Sequence, residues 1–158
     1  MKLLQDRVAL VTGSSRGIGA AIARLFAREG AKVALHGRDQ EALSAVQAQV
    51  AADGGRAIAL TADLTRAAEV ESLRAQAEDA LGPLDILVAN AGGSLTRPGL
   101  SLEEIGEDGW RASLDANLTA TFLTLKSALP GMKARRRGAI LTLSSAAARR
   151  PHPQSPIP

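Results

Sequence analysis

The stretch TGSSRGIG, residues 12–19, decides the fold because it joins a short apolar run to a helical pattern. The run before it, RVALVT at 7–12, is typical of a buried strand, and residues 17–30 have helical periodicity. Glycines in such a turn permit a tight bend and a close approach of the backbone to a ligand. The start of the helix would then offer free N–H groups and a positive dipole end to a phosphate.

The spacing of the three glycines differs from two common nucleotide-binding patterns. Gly13, Gly17 and Gly19 do not follow the common G-x-G-x-x-G dinucleotide pattern. The loop also has no Gly-Lys-Ser/Thr sequence of the kind that nucleotide-hydrolysing loops use, so phosphoryl transfer is not expected.

The alternation of strand and helix continues along the chain. Apolar runs predict strands at 32–36, 57–61, 85–89 and 138–144, and periodic segments predict helices at 39–52, 66–81 and 107–134, the last bent or shortened by Pro130. Strands that are apolar on both faces indicate an α/β fold, a doubly wound parallel sheet in three αβα layers. No linker or repeat divides the chain, so residues 1–158 are interpreted as one domain.

The helical periodicity also predicts which side chains pack together. Asp39 is expected to cap the second helix, and the long helix carries an apolar stripe. The apolar positions are Ile18, Ile22, Leu25 and Phe26 in the first helix, Leu43, Val46 and Val50 in the second, and Trp110, Leu114, Leu118, Phe122, Leu125 and Leu129 in the long helix.

Composition excludes several classes of function. The chain has no cysteine, so it has neither disulfides nor thiolate chemistry, and no metal-spaced cluster is seen. No signal peptide or membrane span is recognisable, which makes a cytoplasmic protein the default expectation. A net charge of +3, with no aromatic residues near the arginine runs at 135–137 and 149–150, argues against nucleic acid. His36 and His152 are interpreted as surface residues.

Four further motifs follow the glycine loop along the chain. Ala62-Asp63-Leu64 follows the third strand, Asn90-Ala91-Gly92 follows the fourth, Asn117 lies in the long helix, and Ser144-Ser145 ends the fifth strand. Together with TGSSRGIG, these motifs resemble those of the short-chain dehydrogenase/reductase family, with Ala89 in place of the first Asn of the family's Asn-Asn-Ala-Gly motif. The resemblance implies a Rossmann-type fold that binds NAD(P), and an oxidoreductase that transfers a hydride between the nicotinamide and a carbonyl/alcohol substrate.

The resemblance also implies roles for individual residues. Asn117 and Ser145 correspond to catalytic residues, with Ser145 orienting a substrate carbonyl and Asn117 anchoring a water of the proton relay. The residues expected to bind the cofactor are Gly13, Ser15, Arg16, Gly17, Ile18, Gly19, Arg38, Asp63, Leu64, Asn90, Ala91 and Gly92.

Other roles remain open for the same polar side chains. Asp63 could contact the adenine or cap the next turn, and Asn90 could clamp the backbone of its loop or touch the cofactor ribose. Asn117 could instead satisfy local backbone groups, and Ser145 could be an ordinary hydroxyl at a strand end.

The end of the second strand predicts which nicotinamide cofactor is preferred. NAD-binding proteins commonly place a carboxylate there for the ribose 2′-hydroxyl, whereas this chain has Arg38. Arg38 can form a charge-assisted pair with a 2′-phosphate, and Arg16 is expected to reach the same place. We therefore predict NADP(H) over NAD(H), the alternative being that both arginines are solvated surface charges.

The family's tyrosine and lysine, which complete the proton relay, are not found where the resemblance places them. The 158 residues contain no tyrosine, and no lysine follows Lys133. The resemblance therefore implies a chain cut just before the Tyr-x-x-x-Lys motif, with a fold that is incomplete at the C-terminus and an apolar stripe on the long helix that lacks part of its packing partners. By itself the chain is expected to have weak or no reductase activity. Two interpretations follow, a ketone or 3-oxoacyl reductase that forms a dimer or tetramer when intact, or a non-catalytic dinucleotide-binding module.

Overall fold

A computed structural model describes residues 2–93 and 101–145 of the chain. Its elements alternate as the sequence predicts, within one or two residues at most ends. The strands are β1 (Val8–Val11), β2 (Lys32–Gly37), β3 (Arg56–Thr61), β4 (Ile86–Ala89) and β5 (Ala139–Thr142). The helices are α1 (Gly17–Arg28), α2 (Gln40–Ala52), α3 (Ala67–Leu81), α4 (Glu107–Leu114) and α5 (Ala120–Ala134), with a π-helical turn at Asp115–Thr119 and a short 3-10 helix at Leu102–Glu104.

The five strands form a single parallel sheet in the order β3-β2-β1-β4-β5. Residue Val8 of β1 pairs with Lys32 of β2, and Ala9 pairs with Ile86 of β4, so the carboxyl ends of the central strands lie side by side. The order reverses at β1, which is the point at which open α/β sheets form a crevice for ligands.

The core has two parts, one on each face of the sheet. Leu10 of β1 packs in a cluster with residues of α3 and α5, whereas its neighbour Val11 packs in a second cluster with residues of α1 and α2. This alternation follows from the two-residue period of a strand. The predicted three-layer, doubly wound Rossmann-type fold is therefore confirmed, and the interpretation of residues 1–158 as one domain stays a prediction.

Helix α2 packs as the sequence predicts. Leu43, Val46 and Val50 are buried, and the Asp39 carboxylate accepts a hydrogen bond of 3.0 Å from Ala42 N at the helix start.

The predicted inner face of α1 is wrong in part. Ile18 and Leu25 are exposed, and the residues that are buried against the sheet are Gly19, Ala23 and Ala27. Ile22 and Phe26 are only partly buried at the edge of the core. Small side chains allow α1 to lie close to β1, and a hydrophobicity pattern underestimates them because Gly and Ala contribute little to it.

The long helix predicted at 107–134 is interrupted and faces the other way. A π-helical turn separates α4 from α5, and Pro130 does not end α5, which continues to Ala134. Of the apolar stripe, Leu125 packs on the core, whereas five of its six members are exposed: Trp110, Leu114, Leu118, Phe122 and Leu129. The buried face consists mainly of small residues: Ser113, Ala120, Thr124, Ser127 and Ala128, together with Met132.

Candidate dinucleotide site

The residues singled out in the sequence converge on the carboxyl edge of the sheet. The glycine loop follows β1, Arg38 follows β2, Asp63 follows β3, and Asn90 follows β4. Since the strands are parallel and adjacent, these four segments lie next to one another.

Two glycines give the loop its close packing. Gly13 has a φ of +66°, and a Cβ added there would lie 2.9 Å from Ala91 Cα. A Cβ added at Gly19 would lie 2.3 Å from Gly13 O and 2.6 Å from Asn90 Nδ2. The loop therefore folds back on itself and against the segment after β4, at distances that only glycine allows.

The start of α1 is left open by this arrangement. Its N-cap residue is Arg16, and no side chain among the described residues caps the helix. Arg16, Gly17 and Ile18 are exposed, and the first hydrogen bond of the helix runs from Ala20 N to Arg16 O at 3.3 Å. The first N–H groups of α1 thus face solvent beside a cation, which is an arrangement that suits an anion.

Thr12 connects the glycine loop to β4, a role that the sequence analysis missed. Its hydroxyl is buried, accepts from Asn90 N and Ala91 N at 3.0 Å each, and donates to Val88 O at 3.3 Å. The signal was a polar residue at the end of an otherwise apolar strand.

Asn90 clamps the same loop from the other side. Its amide Nδ2 donates to Thr12 O at 2.9 Å and to Gly13 O at 3.1 Å. The sequence left two roles open for Asn90, a clamp on the loop backbone or a contact with the cofactor ribose, and these hydrogen bonds form the clamp. The Asn90-Ala91 segment and the loop are therefore one hydrogen-bonded unit.

His36 is buried, which contradicts its interpretation as a surface residue. Only 3% of its surface is exposed, because β2 lies next to β1 and places the ring beneath the glycine loop. Its Nδ1 lies 3.4 Å from Gly13 N, and its Nε2 lies 3.1 Å from Ala62 O. Burial lowers the pKa of His36, the hydrogen bond with Ala62 opposes that effect, and the charge of Arg38 adds to it.

A pocket at the ends of β2 and β3 contains Arg38 and Asp63, two of the three charged residues that were predicted to bind the cofactor. It is lined by Arg38, Thr61, Ala62, Asp63 and Glu69. Arg38 is exposed there. Asp63 caps the turn that follows, since its Oδ1 accepts from Thr65 Oγ1 at 2.7 Å and from Thr65 N at 2.9 Å. These two hydrogen bonds hold the pKa of Asp63 below its ordinary value, and the charges of Arg66 and Arg38 add to the effect.

Two predicted binding residues lie near this edge in different surroundings. The side chain of Leu64 is buried in the core with α3, so only its backbone is available to a ligand. Ser15 lies against Gly37, where an added Cβ would be 3.1 Å from the Ser15 Cβ. The loop and the end of β2 are therefore in direct contact.

Asn117 lies in the π-helical turn and binds the segment after β4. Its Oδ1 accepts from Gly93 N at 2.8 Å, and its Nδ2 donates to Gly93 O at 3.1 Å and to Ser113 O at 2.9 Å. The side-chain amide thus satisfies local backbone groups, and the main-chain carbonyl of Asn117 accepts from Thr121 Oγ1 at 2.7 Å. A π-helical turn inside an α-helix is frequently found at a functional site.

Ser145 lies beyond the end of β5 and is exposed. Strand β5 pairs with β4, and Leu143 N donates to Ala89 O at 3.1 Å. Ser145 therefore lies at the same edge of the sheet as Asn90 and the glycine loop.

The described residues contain neither a membrane-spanning helix nor a cluster that could bind a metal. No helix within 2–93 and 101–145 is long and apolar enough to cross a membrane. Over the same ranges, no three His, Cys, Asp or Glu side chains are grouped so that they could hold a metal ion.

A profile of the short chain dehydrogenase family matches residues 7–157. The chain belongs to the short-chain dehydrogenase/reductase family. It is 41% identical over 148 residues to a 3-oxoacyl-[acyl-carrier-protein] reductase of Synechocystis, covering 93% of this chain and 59% of that protein. It is 39% identical over 150 residues to a glycine betaine reductase of Emericella nidulans, covering 95% of this chain and 12% of that protein.

Solved structures of the family share the fold. A metagenomic short-chain oxidoreductase in complex with NADP has a TM-score of 0.87 and 40% identity, covering 94% of this chain and 66% of that one. The chain thus spans about three fifths of the length of most of these short-chain dehydrogenase/reductase relatives, and a much smaller share of the glycine betaine reductase.

Proposed function

We propose that the edge formed by the glycine loop, Arg38 and Asp63 binds NADP(H), and that the chain is the dinucleotide-binding part of a short-chain reductase. The observation that carries the proposal is the approach of Gly19 to Gly13 O beside the uncapped start of α1. The first N–H groups of α1 face solvent, where they could hold a pyrophosphate, and a larger residue at Gly19 would push away the loop on which they depend.

The chain's residues would divide the dinucleotide between them. Gly13 would shape the loop, and the N–H groups from Ser15 to Gly19, including those of Gly17 and Ile18, would hold the pyrophosphate. Arg38, with Arg16, would pair with the 2′-phosphate, since guanidinium groups form two parallel hydrogen bonds to phosphate. Asp63 and the backbone of Leu64 would bind the adenine in the pocket between β2 and β3.

The nicotinamide end would lie toward Asn90, Ala91 and Gly92. When bound, the nicotinamide supplies or accepts a hydride. Ser145 would orient the substrate carbonyl by donating a hydrogen bond to its oxygen. Asn117 would hold Gly93 in place, and the main-chain carbonyl of Asn117 would offer a site for a water.

The substrate proposal rests on the relatives. One relative is a 3-oxoacyl-[acyl-carrier-protein] reductase at 41% identity, and one solved relative binds NADP. We propose a ketone or 3-oxoacyl group as substrate, with NADP(H) preferred over NAD(H). A cytoplasmic location and a homodimer or homotetramer stay predictions.

The test of cofactor choice is a pair of arginine variants. In Arg38→Ala, NADPH affinity should fall at least tenfold and NADH affinity should stay unchanged, because the NADH ribose has no phosphate for the guanidinium. Arg56→Ala is the matched control, since Arg56 is at the amino end of β3 and donates to Ala80 O at 3.1 Å. An unchanged NADPH/NADH ratio in Arg38→Ala would show that the assignment is wrong.

The second candidate, a dinucleotide-binding module without catalysis, is favoured by one observation. The 158 residues contain no tyrosine, so this polypeptide has no phenol to exchange a proton with a substrate. A panel of ketones and 3-oxoacyl thioesters with NADPH separates the two candidates. Binding without turnover supports the module for this polypeptide, and turnover at ordinary enzyme rates supports the reductase.

A further inference from the structure

We propose that His36 is a positioning residue, and that its neutral, Nε2-protonated ring makes dinucleotide binding depend on pH. The inference rests on the proposed function, because it concerns the loop that would hold the pyrophosphate. It assigns a role to a buried histidine that the family motifs in the sequence do not include.

His36 binds Gly13 and Ser14 of the loop, Ser14 through its backbone groups and Gly13 through its ring. Ser14 N donates to His36 O at 2.8 Å, and His36 N donates to Ser14 Oγ at 2.9 Å. The ring adds Gly13 N, 3.4 Å from Nδ1. The end of β2 therefore fixes the position of the loop at the point where it leaves β1.

The two ring contacts select one tautomer. Ala62 O can only accept, so Nε2, at 3.1 Å, must carry a proton and donate. Gly13 N–H can only donate, so Nδ1 must be unprotonated and accept. The neutral Nε2–H form satisfies both groups, and the ring then joins the glycine loop to the end of β3.

Protonation of His36 breaks this link. A proton on Nδ1 would point at the Gly13 N–H, and two donors repel at that distance. Gly13 would have to move away, although Asn90 still holds its carbonyl from the far side. The N–H groups from Ser15 onward would lose the alignment that anion binding requires.

The charges around the ring favour the neutral form. Burial is the main cause that lowers the pKa of His36, and Arg38 adds to it. The nearby carboxylates are engaged elsewhere, Asp63 after β3 with Thr65, and Glu69 in α3 with Asp63 N at 2.7 Å. Arg16 is a further cation, on the loop itself. Protonation is therefore expected only below the ordinary histidine pKa of about 6.5.

The tautomer can be observed directly in the full chain. The chain has two histidines, so ¹⁵N–¹H correlation spectra show two rings, and His152→Asn identifies the signals of His36. The expected result at pH 7.5 is a single Nε2–H tautomer for His36. The Nδ1–H tautomer, or rapid averaging between the two forms, would overturn the inference without any measurement of binding.

Binding of NADP⁺ across pH measures the effect on the loop. Calorimetric titration of the full chain between pH 7.5 and pH 5 compares the wild type with His36→Asn and His36→Gln. Asn can offer an acceptor to Gly13 N–H but cannot titrate, whereas Gln can reach Ala62 O and leaves Gly13 N–H without an acceptor. Both variants experience the same titration of the ligand's phosphate, so they remove that contribution from the comparison.

The expected result is a loss of affinity in the wild type at pH 5 at least fivefold larger than the loss in His36→Asn. At pH 7.5, His36→Asn should bind more tightly than His36→Gln. Identical pH profiles in the wild type and His36→Asn would overturn this inference alone. Absence of NADP⁺ and NAD⁺ binding by the wild type at pH 7.5 would overturn the proposed function, and this inference with it.

Discussion

Asn117 holds Gly93 by both of its backbone groups, with Oδ1 2.8 Å from Gly93 N and Nδ2 3.1 Å from Gly93 O. One side chain on the long helix thereby replaces the pairing that a neighbouring strand would provide. The segment after β4 is fixed to the helix at the edge where the glycine loop lies.

Removal of this amide should loosen the segment and destabilise the fold. Asn117→Ala deletes three hydrogen bonds, and because Gly93 is exposed to water the loss is expected to be about 1–2 kcal/mol in the free energy of unfolding. Asn117→Asp keeps the acceptor for Gly93 N–H but loses both donors, so it should not restore the wild-type value. Urea unfolding measures both, and an Asn117→Ala chain as stable as the wild type would contradict the proposed clamp.

The Thr12 hydroxyl should matter more than its methyl group. Thr12→Val leaves two N–H groups, those of Asn90 and Ala91, without their acceptor, for a loss of about 2 kcal/mol or more. Thr12→Ser keeps the hydroxyl and loses one methyl, for a loss of roughly 1 kcal/mol. Urea unfolding of the two variants should rank Ser above Val, and the reverse order would show that packing, not hydrogen bonding, governs this position.

The exposed apolar stripe of the long helix should contribute little to folding. Leu118 is 65% exposed, so Leu118→Ala is expected to change the free energy of unfolding by no more than about 0.5 kcal/mol. Leu87 of β4 is fully buried, and Leu87→Ala should cost about 2–5 kcal/mol. The two substitutions delete the same atoms, so equal effects in thermal or urea unfolding would mean that the stripe is buried in solution.

The order of elements could be predicted from the sequence because strand and helix patterns differ in period. The faces of α1 and of the long helix could not be predicted in the same way. In α1 the buried face is made of small residues such as Gly19 and Ala23. In the long helix it also includes hydroxyls that bond to the helix itself, as Thr124 does to Ala120 O. Large apolar side chains such as Leu118 lie on the outer face, so the periodicity of large apolar residues predicted the exposed face of the helix as the buried one.

The site residues that lie in sequence motifs could be predicted. Those whose role depends on which strands are neighbours in the sheet could not. Gly13, Asn90 and Arg38 follow strands in patterns that can be recognised along the chain. The burial of His36 depends on β2 lying beside β1, and the role of Thr12 depends on β4 lying on the other side. His36 is 23 positions from Gly13, and Thr12 is 78 positions from Asn90, so no local pattern could reveal these contacts.

The central claim is that the glycine loop binds a dinucleotide, and the close approach at Gly19 tests it most directly. Titration of the full chain with NADPH, followed by nucleotide fluorescence, compares the wild type with Gly19→Ala and Gly106→Ala. Gly106 has a φ of −70°, and among the described residues nothing lies within 4 Å of a Cβ added there, which makes it the matched control.

Saturable binding by the wild type and Gly106→Ala, with a loss of at least tenfold in Gly19→Ala, is the predicted result. The added methyl would lie 2.3 Å from Gly13 O and must push the loop away from its packed position. Equal affinity in all three chains, or no binding by the wild type, would contradict the account.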